Sequence, residues 1–242
     1  MCFFAQMCNL VHMPSKLPSS KLRIGRSPKI SEATVSRLPA YFRALSQLAD
    51  ANQIRVSSEE LAALTGVSSA MLRKDLSHLG SYGTRGVGYD VEFLRYQISR
   101  EMGLNNDWSV VIVGVGNLGR ALAHYGGFGS RGFKVVALVD ADQTLIGTKV
   151  KCGAEGKTVE LLVHALSDLE TVIKETKARL GVVATHAESA QEVCNSLVKA
   201  GIRSILNFAP VHLTVNDGVD VRKVDLASEL QILAFHEQRK AV

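Results

Sequence analysis

The chain has 242 residues, of which 46% are apolar and 6% aromatic, and its 28 Lys and Arg against 23 Asp and Glu give a formal charge of +5. This composition is typical of a globular protein and excludes a disordered chain, a collagen-like repeat and a disulfide-rich miniprotein. No run of about 18 uncharged apolar residues occurs, so we expect no transmembrane helix and no membrane partner.

The four cysteines, Cys2, Cys8, Cys152 and Cys194, form no Cys-x-x-Cys pair and no metal-ligand spacing. Isolated cysteines of this kind are typical of a reducing compartment. We therefore predict a cytoplasmic protein without a metal site.

Residues 1–29 are predicted to form a disordered tail, because they are rich in proline and serine. Their short apolar start lacks the basic region of a signal peptide. Residues 1–31 contain five cations and no acid, whereas acids and cations balance over residues 32–242. The tail thus carries the whole excess charge, and we favour a solvated tail over an arm that adds phosphate contacts.

Residues 30–104 are predicted to form a small helical domain. Apolar residues recur at three- and four-residue intervals over 35–49, which predicts a first helix. Ser57 with Glu60 three residues later has the pattern of a capping box, which predicts a second helix over about 58–64.

The next segment has the spacing of a helix-turn-helix. Ala62 lets two helices approach closely, Gly66 takes the turn and Leu72 packs the following helix back onto the first. That following helix is expected over about 69–79, with Gly80 ending it in a left-handed conformation.

The N-terminal half of this third helix carries polar side chains that are free to face a ligand. Ser68, Ser69, Arg73 and Lys74 lie there, and hydroxyls and cations suit the base edges and phosphates of a DNA major groove. The alternative is a solvated helix face on which Asp75 offsets the two cations.

A glycine-rich β-hairpin is predicted directly after this helix. Gly80, Gly83, Gly86 and Gly88 flank Tyr82, Val87, Tyr89 and Val91. A hairpin in this position is a wing, with Arg85 at its tip near the minor groove or the DNA backbone, and the alternative is a plain connecting turn. Helix and wing together favour DNA binding. A further helix over about 91–102 leads to the linker 103–107.

Residues 107–224 are predicted to form a dinucleotide-binding domain. A continuous apolar strand precedes Gly114-x-Gly116-x-x-Gly119, and an apolar-periodic helix follows it, which is the context that this motif requires. Gly114 permits the tight turn, Gly116 lets the backbone approach a pyrophosphate, and Gly119 brings helix and strand together. The pyrophosphate would lie on the amides at the helix start, which belong to Val115, Asn117 and Leu118.

Asp140 ends the second strand of this domain, 21 residues after Gly119. An acid at this place hydrogen-bonds the adenosine ribose and repels a 2′-phosphate, so NAD(H) is favoured over NADP(H). Asp142 is a less favoured candidate for the same role, and a βαβ unit without any ligand is the structural alternative.

Three more strands, over 179–185, 202–210 and 218–224, and a helix over 188–201 are expected. Strand ends face the cofactor in this architecture, so Thr185, His186 and the Asn207–Pro210 stretch are candidates for the nicotinamide half. His186 would be a proton carrier in an enzyme, but no partner acid or lysine is recognisable, and a loop histidine that contacts ligand or solvent is favoured.

Residues 225–242 are predicted to form a terminal helix. One face carries Leu226, Leu230, Leu233 and Ala234, and Ile232 and Phe235 widen it. The helix packs either on its own domain or on a second subunit. Winged-helix proteins that read palindromic sites need a two-fold dimer, which favours the second arrangement.

Over about residues 30–236 the chain resembles the Rex family of redox-sensing transcriptional repressors. The motifs that carry the resemblance are VSSAMLRKDLSHLGSYGTRGVGYDV, GVGNLGRAL, AGIRSILNFAP and VDLASELQ. It implies an α/β protein with an N-terminal winged helix-turn-helix, a Rossmann-type NAD(P)-binding domain and a C-terminal, domain-swapped helix in a homodimer.

The resemblance also implies site residues. Ser68, Ser69, Arg73, Lys74 and Arg85 fall on the DNA-contacting segment, and Ser57 and Ser58 at the start of the preceding helix complete our predicted DNA-binding set. Tyr125 and Phe208 fall near the nicotinamide, and Arg37 and Asp225 fall on positions that bridge subunits when the dimer switches. Thr185–His186–Ala187 departs from the family's usual Thr-Val-Pro, and Ser77–His78–Leu79 from its usual Ser-Tyr-Phe.

The function that follows is that of a repressor, not an enzyme, that senses the NADH/NAD+ ratio and leaves its palindromic operator when NADH binds. An apolar pocket walled by Phe208 would prefer the neutral reduced ring over the charged oxidised ring. One alternative is an NAD-dependent dehydrogenase with a helical N-terminal extension, although the chain has no Tyr-x-x-x-Lys motif, metal cluster or recognisable His–Asp pair. The other is a winged-helix regulator whose Rossmann domain senses another nucleotide or none.

Overall fold

The computed structural model describes residues 30–80, 83–84, 87–153, 156 and 158–240. The chain divides into two compact units, with the boundary between Val91 and Glu92. The predicted tail over 1–29 and Arg85 at the predicted wing tip lie outside the described residues. Within the described part of the chain, no helix is long and apolar enough to cross a membrane.

The first unit contains the three helices and the hairpin of the predicted winged helix-turn-helix, but it ends at Val91, whereas the predicted domain of residues 30–104 also included the helix that begins there. Its helices are α1 (Glu32–Asp50), α2 (Ser58–Thr65) and α3 (Ser69–Leu79), and its strands are β1 (Arg55–Val56), β2 (Gly83–Thr84) and β3 (Gly88–Asp90). The strands form an antiparallel sheet in the order β1-β3-β2, so the glycine-rich segment is a hairpin, as expected.

Helix α1 follows its apolar periodicity only in part. Leu38, Leu45 and Leu48 are buried, but Val35 is 43% exposed. Pro39 lies in the helix interior, not in the first turn, because the helix already begins at Glu32. Proline donates no backbone hydrogen bond, so α1 lacks one bond of its ladder at that point.

The start of α2 differs from the predicted capping box. The Ser57 hydroxyl accepts a hydrogen bond from the Glu60 amide at 3.0 Å, but the Glu60 carboxylate accepts from the Gln53 side chain at 2.8 Å and does not return to Ser57. Gly66 ends α2 in the left-handed conformation, with φ of 69°. Gly80 ends α3 differently from our prediction, with φ of 141° and ψ of 173°, a backbone region open essentially to glycine alone.

Asp75 is buried, so the alternative in which it offsets Arg73 and Lys74 on a solvated face of α3 is wrong. Its side chain is 1% exposed and faces α1. It accepts hydrogen bonds from Thr34 at 2.9 Å, from Arg37 at 2.6 and 2.7 Å, and from Tyr41 at 2.7 Å. This carboxylate therefore joins the third helix to the first.

The titration of the Asp75 cluster follows from these contacts. Burial alone would raise the pKa of Asp75, but the hydrogen bonds from Arg37, Tyr41 and Thr34 outweigh it and hold that pKa below its ordinary value. Burial, and then the hydrogen bond to Asp75, raises the pKa of Tyr41 to about 12. Asp75 is thus a carboxylate and Tyr41 a neutral donor at neutral pH.

The second unit contains a seven-stranded sheet in the order β10-β9-β8-β4-β5-β7-β6. Its strands are β4 (Trp108–Val113), β5 (Phe133–Asp140), β6 (Lys149–Cys152), β7 (Val159–Ala165), β8 (Leu180–Val183), β9 (Ser204–Asn207) and β10 (Asp220–Lys223). Its helices are α4 (Val91–Glu101), α5 (Asn117–His124), α6 (Leu169–Thr176), α7 (Ala187–Lys199) and α8 (Leu226–Lys240). All neighbouring strands are parallel except β6, which pairs antiparallel with β7.

The central strands of this sheet are apolar on both sides because helices cover both faces. Val111 and Val113 pack in the core with α6 and α7, whereas Val110 and Ile112 pack in the core that includes Ala123 of α5. Strand β4 lies between β5 and β8, and the chain continues from it in opposite directions. Such a switch point opens a crevice at the carboxyl ends of the strands.

Helix α8 buries none of its residues in the single chain. Leu226, Leu230 and Leu233 share one face and are each more than 60% exposed. Ile232 and Phe235, expected to widen that face, lie on the opposite side because each residue turns the helix by about 100°. Both of these side chains are also about half exposed.

We predict that Asp75→Ala lowers the free energy of unfolding of the first unit by about 2–4 kcal/mol, because the donors that converge on the carboxylate lose their acceptor. Urea denaturation followed by circular dichroism measures this change. Since the pKa of Asp75 is lowered by folding, its contribution is present at neutral pH and is lost as the pH falls through the folded pKa.

The matched control is Asp50→Ala, at the exposed end of helix α1, the helix whose side chains hold Asp75. This change is expected to alter the free energy of unfolding by less than about 0.5 kcal/mol. Equal effects of the two substitutions would contradict a structural role for the buried cluster.

Candidate DNA-binding surface and dinucleotide cleft

The N-terminal half of α3 presents the predicted DNA-contacting side chains. The Ser68 hydroxyl caps the helix by accepting a hydrogen bond from the Met71 amide at 3.2 Å. Arg73 and Lys74 are exposed, and the Lys74 ammonium has no hydrogen bond or ion pair within the described residues. The arrangement is that of a recognition helix whose start faces the solvent.

Arg73 gathers three of the predicted residues into one cluster. Its Nη1 donates to the Ser58 hydroxyl at 2.9 Å and to the Glu59 carboxylate at 2.9 Å, and its Nη2 donates to the Ser69 hydroxyl at 3.3 Å. Helices α2 and α3 are therefore connected through the guanidinium.

Glu59 is the member of this cluster that the sequence did not reveal. Its pKa is lowered by the hydrogen bond from its own backbone amide and, next, by the hydrogen bond from Arg73. The available signal was the position of Glu59 in the first turn of α2, beside Ser58, but no sequence rule links it to Arg73 on another helix.

The glycines of the β4–α5 turn have the backbone geometry that the motif requires. Gly114 has φ of 96°, and a Cβ there would lie 2.6 Å from the Ala184 oxygen. A Cβ on Gly119 would lie 1.8 Å from the Gly114 oxygen, so helix and strand approach as closely as their backbones allow. A Cβ on Gly116 would meet no atom within 4 Å, so this position opens to the cleft.

The start of α5 suits an anionic group. Gly116 occupies the N-cap position and no side chain caps the helix. The first amides of a helix have no partner within the helix, and the helix dipole is positive at this end. Asn117 and Leu118 therefore present backbone N–H groups to whatever fills the neighbouring cleft.

A cleft of about 1010 Å³ lies at the switch point of the sheet. This volume is at the upper end of the roughly 300–1,000 Å³ that ligand sites occupy. The predicted cofactor residues that line it are Gly114, Gly116, Asn117, Leu118, Asp140, Thr185, His186 and Phe208. The structure thus brings together residues that are up to 94 positions apart, the separation of Gly114 and Phe208.

Asp140 is already engaged by the turn. Its carboxylate accepts from the Val115 amide at 2.5 Å and from the Asp142 amide at 2.9 Å. A carboxylate has about four acceptor sites, so capacity remains for a ribose hydroxyl. Asp142, the less favoured candidate, instead accepts from the amide and hydroxyl of Thr144.

The far side of the cleft fits a ligand that brings a polar group. The Thr185 Oγ1 is buried and has no hydrogen-bond partner among the described residues. A buried hydroxyl without a partner is unfavourable, and a ligand donor or acceptor would satisfy it. Phe208 is half-buried and follows Asn207, whose side chain holds the loop through bonds to Ala209 and Val211 at 2.9 Å each.

Three predicted cofactor residues do not line the cleft. Val115 is buried in the core, and Gly119 packs against the turn. Tyr125 follows the C-terminal end of α5, is half exposed and makes an edge contact with Phe128, with ring centroids 5.1 Å apart. It lines a separate pocket of about 250 Å³ with Cys152, so the single chain does not bring it to the cleft.

The two predicted bridging residues have partners within the chain. Both Asp75 oxygens accept from Arg37, through Nε and Nη2. Asp225 is paired with Lys223 at 3.0 Å and accepts from the Ser228 amide at 3.2 Å, which caps α8. The bridging role of Arg37 and Asp225 stays a prediction, and it requires an exchange of these contacts.

A winged helix-turn-helix in the same chain as a Rossmann sheet with an open dinucleotide cleft defines a ligand-responsive DNA-binding protein. Two family models agree with this division. "Putative DNA-binding protein N-terminus" matches residues 29–77, and "CoA binding domain" matches residues 105–211.

The similarity to curated relatives extends over most of the chain. The chain is 62% identical over 216 residues to the redox-sensing transcriptional repressor Rex of Streptomyces avermitilis. The matched region covers 89% of this chain and 82% of that protein. It is 45% identical to the Rex repressor of Pelotomaculum thermopropionicum, over 88% of this chain and 96% of that one. The chain belongs to the Rex family of redox-sensing transcriptional repressors.

Solved structures of the Rex-family repressor RSP share the fold. The structure of RSP with NAD+ and operator DNA matches with a TM-score of 0.79 and 32% identity, over 88% of this chain and 95% of that chain. The structure of RSP with NADH matches with a TM-score of 0.77 and 30% identity, over 88% of this chain and 97% of that chain.

We predict that Gly119→Ala strongly destabilises the second unit and that Gly116→Ala does not. The first places a Cβ against the Gly114 carbonyl and is expected to lower the melting temperature strongly or to prevent folding of the second unit. The second meets open space at an ordinary φ of −69° and is expected to leave the melting temperature within a few degrees of the wild type. Fluorescence of Trp108, the single tryptophan, reports on this unit, and equal melting temperatures would contradict the close contact.

Proposed function

We propose that this protein is a transcriptional repressor that binds operator DNA through α3 and the β2–β3 wing and is released when NADH fills the cleft. The observation that carries the proposal is the cleft itself, in which the glycine turn, Asp140 and the unpartnered Thr185 hydroxyl meet. The Rex repressors that the chain resembles, and the structures of RSP with NADH and with operator DNA, support it.

Each side of the cleft has a distinct task in this proposal. The turn around Gly116 and the start of α5 hold the pyrophosphate, and Asp140 holds the adenosine ribose and rejects a 2′-phosphate. Thr185, His186 and Phe208 face the nicotinamide half. The oxidised ring carries a positive charge and the reduced ring is neutral, so a pocket with the apolar wall of Phe208 favours NADH.

A repressor explains the site better than a dehydrogenase does. His186 is the nearest candidate for a proton carrier, but its ring has no hydrogen bond to a carboxylate or lysine within the described residues. A general acid or base needs such an orienting partner. The Rex relatives are named as repressors and not as enzymes.

The active form is a homodimer in this proposal, with α8 exchanged between subunits. A helix with apolar side chains on opposite faces is stable only when both faces are covered. The exposed Leu226, Leu230 and Leu233 on one face, and Phe235 on the other, have no such cover in the single chain. A dimer also supplies two recognition helices for a palindromic operator, and we place this DNA-binding protein in the cytoplasm.

We predict that NADH, titrated into a mobility-shift assay at one stated salt concentration, releases the protein from operator DNA, and that NAD+ titrated separately does so less effectively. A ligand shifts such an equilibrium only through its different affinities for the two forms, and about 100-fold tighter binding of NADH to the released form, or about 2.7 kcal/mol, would be enough for a useful switch. An intact complex at saturating NADH would exclude the proposed mechanism.

The matched variant for this assay is Gly116→Ala. It is expected to bind the operator normally and not to respond to NADH, because its Cβ fills the space that the pyrophosphate needs.

Calorimetry with NADH, NADPH and ATP identifies the nucleotide, and assays of NADH turnover with carbonyl compounds test the dehydrogenase alternative.

We predict that Leu230→Glu combined with Leu233→Glu converts a dimer to a monomer in light scattering and weakens operator binding, because buried carboxylates at a subunit interface are strongly unfavourable. Gln238→Glu adds a carboxylate to the same helix between its two apolar faces, near the C-terminal end, and is the control. A wild-type monomer, or a double variant that remains dimeric, would remove α8 from the interface.

A further inference from the structure

We propose that Glu59 is a specificity-determining residue of the DNA-binding surface. Its carboxylate holds Arg73 in a fixed orientation for base edges and keeps that cation from strengthening contacts with the phosphates of any sequence. The inference rests on the proposed DNA-binding function and deepens it, since Glu59 is acidic and belongs to none of the DNA-contacting positions predicted above.

The hydrogen bonds within the chain leave part of the Arg73 guanidinium available. Nη1 uses both of its hydrogens, one on Ser58 and one on Glu59, and Nη2 uses one on Ser69. The Nε–H and the second Nη2–H of Arg73 have no partner among the described residues. In Arg37 the corresponding Nε and Nη2 groups donate to the two oxygens of Asp75, so these two donors of an arginine can bind a pair of acceptors together.

A guanine presents two acceptors, O6 and N7, at the spacing that an arginine edge matches. An arginine already held by Glu59 and Ser58 loses less rotational freedom when it binds there than a free arginine does. The exposed pair itself adds little to folding, since the Arg73 and Glu59 side chains are 51% and 68% exposed. Loss of the Arg73–Glu59 pair is therefore expected to change DNA binding and not the stability of the fold.

The charge of Glu59 separates specific from non-specific binding. A phosphate carries a full negative charge, so a carboxylate 2.9 Å from the Arg73 guanidinium repels it and cancels the attraction of the cation. The acceptors of a base edge carry only partial charges and suffer less repulsion. Glu59 thus weakens binding to random DNA more than binding to the operator.

The neighbouring residue Glu60 is a close control. It lies on the same helix, but its carboxylate accepts from the Gln53 amide at 2.8 Å and not from Arg73. Glu59→Gln and Glu60→Gln remove the same charge from adjacent positions of the full-length chain. Only the first releases Arg73.

The experiment first selects an operator from a random duplex library with the wild-type protein. Affinities for the selected and a scrambled duplex are then measured over a series of salt concentrations. We expect Glu59→Gln to bind the scrambled duplex about three- to tenfold more tightly, with a salt dependence steeper by about one phosphate contact. We expect its operator affinity to change by less than about twofold or to fall, so the specificity ratio drops.

Two comparisons make the test decisive. Glu60→Gln is expected to retain a higher specificity ratio than Glu59→Gln, and Arg73→Gln in the Glu59→Gln background is expected to abolish the gain on scrambled DNA. An unchanged ratio and salt dependence in Glu59→Gln, or the same change in Glu60→Gln, would overturn the role of Glu59 while leaving DNA binding intact. A wild-type protein that selects no duplex would instead overturn the proposed function, and this role with it.

Discussion

The contact between the backbones of Gly114 and Gly119 is the constraint on which the ligand-binding unit depends. Any side chain at Gly119 would overlap the Gly114 oxygen, so α5 can begin directly at the end of β4 only with glycine there. This start aims the first amides of the helix into the cleft and leaves Gly116 open. Asp140 then ties the turn through the Val115 amide. The predicted anion site and the predicted ribose-binding acid consequently lie at the same edge of the sheet.

In the DNA-binding unit, two ion pairs fix the position of the recognition helix and of a side chain on it. Arg73 and Asp75 are two residues apart on α3, which places them on opposite sides of the helix. Asp75 faces inward and is held by α1, while Arg73 faces outward and is held by Glu59 of α2. The recognition helix is therefore anchored on its buried side by one ion pair and arranged on its exposed side by another. A functional side chain is positioned well only when neighbouring residues restrict it in this way.

The sequence predicted most accurately the turns and motifs that depend on residues close together in the chain. The turn at Gly66 and the motif ending at Gly119 depend on local spacing, and both were confirmed. The burial of Asp75 was not predicted, because its partner Arg37 lies 38 positions away and no periodicity connects them. Strands β6 and β7 and helix α6 were not predicted from the sequence. Strand β6 gives a weak signal because it is a four-residue edge strand in which only alternate residues are buried. The position of Tyr125 was expected from a resemblance, and the single chain alone does not bring it to the cleft.

In the proposed dimer, the apolar residues on opposite faces of α8 connect these two units to one function. A ligand that fills a cleft alters DNA affinity only if it favours one arrangement of the recognition helices over another. A single winged helix offers no such arrangement, because one α3 contacts one half-site whatever its orientation. In the proposed dimer, two copies joined through α8 must match half-sites about 34 Å apart, so a small rotation between subunits would remove both recognition helices from register at once. The exposure of α8 in the single chain therefore supports the proposal that the cleft controls DNA binding through a subunit interface at this helix.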